Sequence, residues 1–198
     1  MREMELKSVV DDLLLRRQRV EAMGGQLLFS GLMEDRYYDP GASAFGPGEK
    51  LRIRTFQGLG TTRTELTWKG HATRERGYKV REELSTFVED GQILTEILAR
   101  LRFVPAQVIE REVWIYSCAG AIVRFEQYPV MDVLVEVEGE PEAIEQAIQA
   151  TGLPREGFTP ESKADFFQRF EQRTGSTAQL CPSSDRGRLL PSWSLSAR

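Results

Sequence analysis

The stretch from Arg2 to Val9, REMELKSV, alternates charged and apolar side chains. Successive side chains of a β-strand point to opposite faces, so Glu3, Glu5 and Lys7 lie on one face and Met4 on the other. On a single strand, this pattern is typical of a sheet with one solvated face. The stretch therefore predicts a strand. Whether its polar face is a functional surface depends on whether the same alternation recurs on other strands.

The same alternation recurs on five further predicted strands, so six strands each present a polar face of mixed sign. The other five carry these residues: Arg52 and Arg54; Glu65, Thr67 and Lys69; Arg81 and Glu83; Arg124 and Glu126; Glu136 and Glu138. Amphipathic helices must pack on the opposite, apolar face of such a sheet. If the sheet curls, its polar face becomes the inside, and closure removes the edge strands. The pattern predicts an α+β fold, a closed antiparallel barrel with a charged interior and helices packed outside.

Turn residues and hydrophobic periodicity give the predicted bounds of the elements. We predict strands at 2–9, 26–39, 51–56, 62–69, 78–87, 105–116, 121–127 and 133–138. We predict helices between Asp11 and Gly24, at 91–102, at 141–150 and at 160–173, with a flexible loop at 40–48 and a polar turn at 70–77. The domain then covers residues 1–173, and residues 174–198, rich in Ser, Pro, Gly and Arg, are expected to form a poorly ordered tail.

Composition narrows the chemistry that the chain can perform. The 198 residues carry a net charge of −4, so the overall field predicts neither a nucleic-acid nor a membrane partner. There is no apolar run of about 20 residues and no signal-peptide core at the start, so we expect a cytoplasmic protein. His71 is the single histidine, and Cys118 and Cys181 are the two cysteines. Catalytic triads, zinc clusters and disulfide frameworks are thereby excluded, which leaves carboxylates, lysines and arginines.

Five ordered motifs resemble the CYTH superfamily, the triphosphate tunnel metalloenzymes, over about residues 1–173. They are Glu3-x-Glu5-x-Lys7, Leu51-Arg52-Ile53-Arg54, Leu66-Thr67-Trp68-Lys69-Gly70, Arg81-x-Glu83 and Leu134-Val135-Glu136-Val137-Glu138. The sequence is similar in particular to members regarded as class IV adenylyl cyclases. The resemblance implies an eight-stranded antiparallel tunnel that binds a triphosphate and divalent metal ions inside.

The residue types on the polar faces suit that chemistry. Hard cations such as Mg²⁺ or Mn²⁺ prefer oxygen ligands, and the predicted metal ligands are Glu3, Glu5, Glu83, Glu136 and Glu138. Arginine and lysine neutralise phosphate oxygens, and the predicted substrate-binding residues are Arg52, Arg54, Lys69, Arg81, Arg111 and Arg124. Positioning and charge stabilisation supply most of phosphoryl-transfer catalysis, and the predicted catalytic residues are Lys7, Lys69 and Arg81.

The chain departs from the family pattern on the strand after the second helix, where relatives usually carry a Lys-x-Arg pair. Here the sequence is Ile109-Glu110-Arg111-Glu112-Val113, so either Ile109 or Val113 replaces a cation. Glu126 stands where an aspartate is common, and Lys163 is a candidate contact at the end of the tunnel. We expect Asp35 and Tyr38 to serve structure.

Three functions fit the residues. The first is metal-dependent hydrolysis of a triphosphate, which is inorganic or attached to a nucleoside or thiamine. The second is cyclisation of ATP to 3′,5′-cyclic AMP and pyrophosphate, and the third is a non-catalytic polyphosphate or nucleotide binding module. The two Glu-x-Glu pairs disfavour the third, because an anion binder gains nothing from acids beside the phosphates. We expect a small-molecule triphosphate as the partner and, in addition, a homodimer.

Overall fold

The computed structural model of the protein describes residues 2–39 and 45–182, which contain nine strands and four α-helices. The strands are β1 (Arg2–Val9), β2 (Gln26–Asp39), β3 (Lys50–Gly58), β4 (Thr61–Lys69), β5 (Thr73–Glu75), β6 (Tyr78–Val88), β7 (Val104–Cys118), β8 (Ala121–Gln127) and β9 (Leu134–Glu138). The helices are α1 (Leu13–Ala22), α2 (Gly91–Arg100), α3 (Pro141–Thr151) and α4 (Lys163–Thr174). The predicted strands and helices are all present within a few residues of their expected bounds, and the short β5 replaces part of the turn predicted at 70–77. Residues 40–44 of the predicted loop lie outside the described residues.

Eight of the strands form a closed barrel. The order is β1-β9-β8-β7-β2-β3-β4-β6, and every neighbouring pair is antiparallel. The first strand closes the ring, because its beginning pairs with β6 and its end pairs with β9. Within the described part of the chain, the extra strand β5 pairs with β6 alone. The predicted eight-stranded antiparallel barrel is therefore confirmed.

The outer face of the barrel carries the main hydrophobic core. Leu6, Val123 and Val137 are buried there against Ile144 and Ile148 of α3. Burial of apolar side chains between a sheet and an amphipathic helix is the chief stabilising contribution to such a layer. The apolar residues of these strands therefore face outward, and the polar residues of the same strands face the interior.

Helix α2 covers a second part of the outer face. Its Leu98 packs with Ile53 of β3 and Tyr38 of β2 in a separate cluster. This packing agrees with the structural role expected for Tyr38. None of the helices that the structure describes is long and apolar enough to span a membrane.

Helix α4 lies against one end of the barrel. Phe166 and Phe167 pack with Ile109 and Leu134, which belong to the same strand faces as Arg111 and Glu136. An aromatic pair on a closing helix was predicted, and the structure adds that the pair seals the interior at this end. Of the two residues that could replace the family's cation, Ile109 packs with α4 and Val113 packs with Met33 and Phe56.

The chain after α4 returns to the barrel as far as residue 182. Gln179 and Val130 exchange two backbone hydrogen bonds, and the Glu110 amide donates to the Leu180 carbonyl. Leu180 and Cys181 are buried. These contacts do not fit the poorly ordered tail expected from residue 174, because the polar composition concealed two buried side chains. Residues 183–198 lie outside the described part, and the domain boundary at 173 stays a prediction.

Candidate functional site

The strand register arranges the inner face of β3, β4 and β6 in rows. Residues directly opposite each other on antiparallel strands point to the same face, so each row crosses the wall of the barrel. Along the strands, the rows are Lys50, Lys69 and Glu83, then Arg52, Thr67 and Ser85, then Arg54, Glu65 and Phe87. The predicted inward direction of Arg52, Arg54 and Lys69 agrees with their burial.

A fully buried ion-pair network crosses the barrel beside these rows. Asp35 accepts hydrogen bonds from Arg54 at 2.6 and 2.9 Å and from Arg111 at 2.8 Å. Arg111 also donates to Glu126 at 3.1 Å. Burial opposes ionisation here, but the surrounding guanidinium groups outweigh it and hold the pKa of Asp35 well below its usual range. Two of the predicted substrate-binding residues, Arg54 and Arg111, are thus already paired with buried acids.

The network continues to β1 and β9. The Lys7 ammonium lies 2.5 Å from Glu5 and 3.0 Å from Glu136. Glu136 also forms a close ion pair with Arg124. The pKa of Glu5 is well below its usual value, because Lys7 and Lys79 outweigh the effect of burial. The structure therefore brings together the predicted residues of the first and last barrel strands.

Other cations of the interior lie close to one another. Burial and the positive charges of Arg81, Lys79 and Lys69 lower the pKa of Lys50 to about 8. Burial and Arg52 likewise lower the pKa of Lys69 to about 8, although Glu83 opposes this shift. Burial is the larger cause of both shifts, and the remainder comes from neighbouring cations, whose repulsion an anion would relieve.

Two guanidinium groups in this region retain free donors. The Nε atoms of Arg52 and Arg81 are buried, and neither has a hydrogen-bond partner within residues 2–39 and 45–182. A buried donor without a partner costs about 1–3 kcal/mol. Charged groups that stay unsatisfied in a folded interior are typical of a ligand site.

The acidic side chains form pairs that suit a hard divalent cation. Glu5 and Glu138 are directly opposite each other on β1 and β9. The Glu83 carboxyl shares a hydrogen bond with Glu3, and burial together with this neighbour raises the pKa of Glu83. In the described ranges, no three acidic, histidine or cysteine side chains converge on one point. Mg²⁺ usually takes one or two carboxylates and completes its shell with phosphate oxygens and waters, so the paired donors fit it.

Sequence reasoning missed two lysines that the structure places in the interior. Lys50 begins the alternation Lys50-x-Arg52-x-Arg54, and the Lys79 ammonium lies 2.5 Å from Glu5. The strand alternation alone could have identified both residues. Lys163 of α4, predicted as an end contact, lies 2.8 Å from Glu126 and 4.0 Å from Glu136. No strand pattern predicts that placement, because it depends on where the helix docks.

Comparison with known proteins identifies the family. The model of the CYTH domain matches residues 1–165, and the chain belongs to this family. Proteins of this superfamily are metalloenzymes that generally depend on a divalent metal. No curated protein matches the chain.

Several solved structures share the fold. PH1819 of Pyrococcus horikoshii OT3 is 23% identical, with a TM-score of 0.69, and the match covers 84% of this chain and 98% of that one. A candidate adenylate cyclase of Vibrio parahaemolyticus is 15% identical, with a TM-score of 0.66 and coverage of 84% and 97%. HpAC1 from Hippeastrum is 17% identical, with a TM-score of 0.55, and the match covers 91% of this chain and 98% of that one. It is a candidate adenylyl cyclase with a dominant triphosphatase activity. At these identities the likeness shows the fold alone.

Proposed function

We propose that this protein is a metal-dependent triphosphatase that binds its substrate inside the barrel. The observation that carries the proposal is a group of inward positive charges, in which the buried Nε donors of Arg52 and Arg81 have no partner among the described residues, beside Lys69, which is paired with Glu83. A triphosphate would neutralise this charge and accept those donors. The triphosphatase activity stated for the Hippeastrum protein supports hydrolysis as the reaction.

The basic side chains have separate tasks in this proposal. Arg52 and Arg81 donate their Nε–H groups to phosphate oxygens, and Lys69 adds an ammonium group from the neighbouring strand. Lys7 is held by Glu5 and by Glu136, so its ammonium is fixed in direction before the substrate arrives. The residues already paired with Asp35, such as Arg54, keep the wall rigid and add to the positive field.

The acidic pairs Glu5 with Glu138 and Glu3 with Glu83 would hold Mg²⁺ or Mn²⁺. Glu136 then orients Lys7 and Arg124 beside them. When bound, the metal supplies charge neutralisation at the phosphate oxygens. The closed wall of the barrel keeps bulk water from the polar groups and strengthens their interaction with the substrate. The cytoplasmic location and the homodimer stay predictions.

The decisive experiment is to incubate the purified protein with Mg²⁺ or Mn²⁺ and either tripolyphosphate or ATP, and to separate the products by chromatography. Release of orthophosphate supports the triphosphatase, whereas cyclic AMP with pyrophosphate supports a cyclase. Binding without any product supports a binding module. The two latter results contradict the proposal.

A matched pair of arginine variants tests the site itself. Arg81→Gln removes the free donor, and Arg36→Gln removes an arginine from the outer face of β2, where it pairs with Glu34. We expect Arg81→Gln to lower kcat/KM about 10- to 100-fold, from the roughly 1.5–3 kcal/mol of a hydrogen bond to a charged group. Arg36→Gln is expected to retain the wild-type value. Equal effects of the two substitutions would refute the placement of the substrate.

A further inference from the structure

Helix α2 has an exposed apolar face in addition to the one that packs on the barrel. Its Leu94 and Leu98 pack in the cluster with Ile53 and Tyr38. The exposed face consists of three residues at helical spacing, which we call the α2 stripe: Ile93, Ile97 and Leu101, which are 50%, 50% and 63% exposed. A surface helix needs one apolar stripe for its own packing, so the α2 stripe is available for a second contact.

The regular spacing distinguishes the α2 stripe from the exposed leucines of α1. Leu14 is 62% exposed, but the residues three and four positions further on are Arg17 and Gln18. Single exposed apolar side chains are common on protein surfaces, whereas a continuous apolar row marks a contact surface. The α2 stripe continues over eight residues, which corresponds to about 12 Å of helix.

The charges beside the α2 stripe change sign along the helix. The acidic Glu89 and Asp90 precede its first residue, and the basic Arg100 and Arg102 lie at its end. Glu96 and Arg100 are one turn apart on the same flank of the stripe, and both are exposed. A partner for this surface must therefore offer an apolar row with the opposite order of charges.

A second copy of α2 in the antiparallel direction has that order. Ile97 is the centre of the α2 stripe, because the other two members are each four residues away from it. About a twofold axis at Ile97, position 96 of one helix is level with position 98 of the other. Glu96 is then about 3 Å along the axis from Arg100 of the second copy, and the symmetry forms this contact twice.

The parallel direction lacks this complementarity. It would place Glu96 beside Glu96 of the second copy and Arg100 beside Arg100, so like charges would repel each other. Antiparallel packing also brings the helix dipoles together with opposite direction. The charge order therefore selects a self-complementary arrangement, which is what a twofold homodimer requires.

We propose that the α2 stripe is a homodimer interface, in which α2 packs antiparallel against α2 of a second copy. The interface gives the homodimer expected from the sequence a specific surface. It lies on the outer face of the barrel, so the inference does not depend on the proposed function.

Sedimentation equilibrium of the full chain tests the interface. The wild type is expected to form dimers at concentrations up to about 100 µM, since an interface of this size is weak. Ile97→Glu should weaken the association at least about 10-fold, because it places two charges at the centre of the apolar contact. Leu14→Glu introduces the same charge at an exposed leucine of α1 and should leave the association unchanged.

Two charge reversals test the partner and the pairing. Glu96→Arg and Arg100→Glu each place like charges opposite each other, so each variant alone should associate at least about fivefold more weakly than the wild type. An equimolar mixture should restore the dimer, because one variant then carries two arginines on this flank and the other two glutamates. Both positions are exposed, so the folded chain tolerates the substitutions.

Three outcomes would overturn the inference. The first is a monomeric wild type, whether residues 183–198 or another protein then covers the α2 stripe. The second is an equal loss of association in Leu14→Glu and Ile97→Glu. The third is a mixture of the two charge variants that stays monomeric. None of these outcomes affects the proposed function, which product analysis tests separately.

Discussion

Arg54 and Arg81 both point into the barrel, but their surroundings give them different roles. Arg54 is held by two hydrogen bonds to Asp35, whereas the Nε of Arg81 is buried and lacks a partner among the described residues. Removing one partner of a buried ion pair is strongly destabilising, because it leaves an uncompensated charge. Substitution of Arg54 is therefore expected to impair folding as well as binding, and Arg81 is the better probe of function.

Glu138→Gln tests the acidic pairs without breaking an ion pair. Glu138 is half-buried, faces Glu5 across β1 and β9, and forms no salt bridge within the part of the chain that the structure describes. We expect this variant to lose at least 10-fold in metal-dependent turnover at limiting Mg²⁺, because one ligand charge is removed. Its melting temperature without metal should match the wild type. Glu112→Gln, on an exposed position of β7, is the control, and equal activity of the two variants would refute a metal role for Glu138.

Lys50 predicts a pH dependence of stability. Its pKa is about 8 in the folded protein, and the ordinary value is 10.5. Between these values the unfolded chain binds more protons than the folded one, so the free energy of unfolding rises with pH. We expect the contribution of Lys50 to be about 1–2 kcal/mol between pH 8 and 10, reduced from the full shift because the side chain is half-buried.

Denaturant unfolding at several pH values measures this contribution. Lys50→Met removes the titrating group and keeps the length of the side chain. We expect the free energy of unfolding of the wild type to rise relative to that of Lys50→Met as the pH rises, because the variant lacks the titrating ammonium group. Parallel stability curves for the two proteins would show that Lys50 is not electrostatically strained.

At the scale of the elements, strand alternation was the strongest signal in the sequence. It predicted the barrel and the inward direction of Arg52, Arg81 and Glu136, because one buried face fixes the register of each strand. Lys50 and Lys79 follow the same alternation, at two residues before Arg52 and Arg81, but they are absent from the predicted site residues. The alternation could not identify which cations are paired, since Asp35 reaches Arg54 and Arg111 from other strands.

Helix α4 is an element whose docking the sequence did not reveal. Its periodicity predicts a helix with an aromatic stripe, but the position of Lys163 beside Glu126 depends on tertiary packing. The start of the helix is defined locally. The Ser162 side chain accepts from the Asp165 amide, and the Asp165 carboxylate accepts from the Ser162 amide, which forms a capping box.

Ser162→Ala is expected to lower the free energy of unfolding by about 1 kcal/mol, because an N-terminal donor of α4 loses its acceptor. Chemical denaturation measures the change. Ser176→Ala, at an exposed position beyond the end of the helix, serves as the control. A Ser162→Ala variant as stable as the control would show that packing of Phe166 and Phe167 alone fixes the helix.

At the scale of the whole molecule, the two ends of the barrel differ in their exposure to solvent. One end is sealed by α4 and the segment that follows it, whereas Phe87, on the inner face of β6 away from α4, is 59% exposed. A polar interior needs limited access of water for its charges to act strongly, but a substrate must still enter. Closure at one end and exposure at the other meet both requirements, so we expect substrate to enter past Phe87.

The sealed end gives a stability prediction that also tests the predicted domain boundary. Leu180 is 3% exposed and packs with Ile109, Tyr128 and Phe166, although it lies beyond the boundary predicted at residue 173. Leu180→Ala would leave a cavity and is expected to cost about 2–4 kcal/mol, measured by chemical denaturation. Leu59→Ala removes the same atoms from a fully exposed turn and should change stability by less than about 0.5 kcal/mol. If Leu180→Ala is as stable as Leu59→Ala, the segment contributes nothing to the seal and the domain ends at α4. A larger loss extends the folded unit beyond residue 173, because the wall of the barrel then depends on a side chain that follows its last helix.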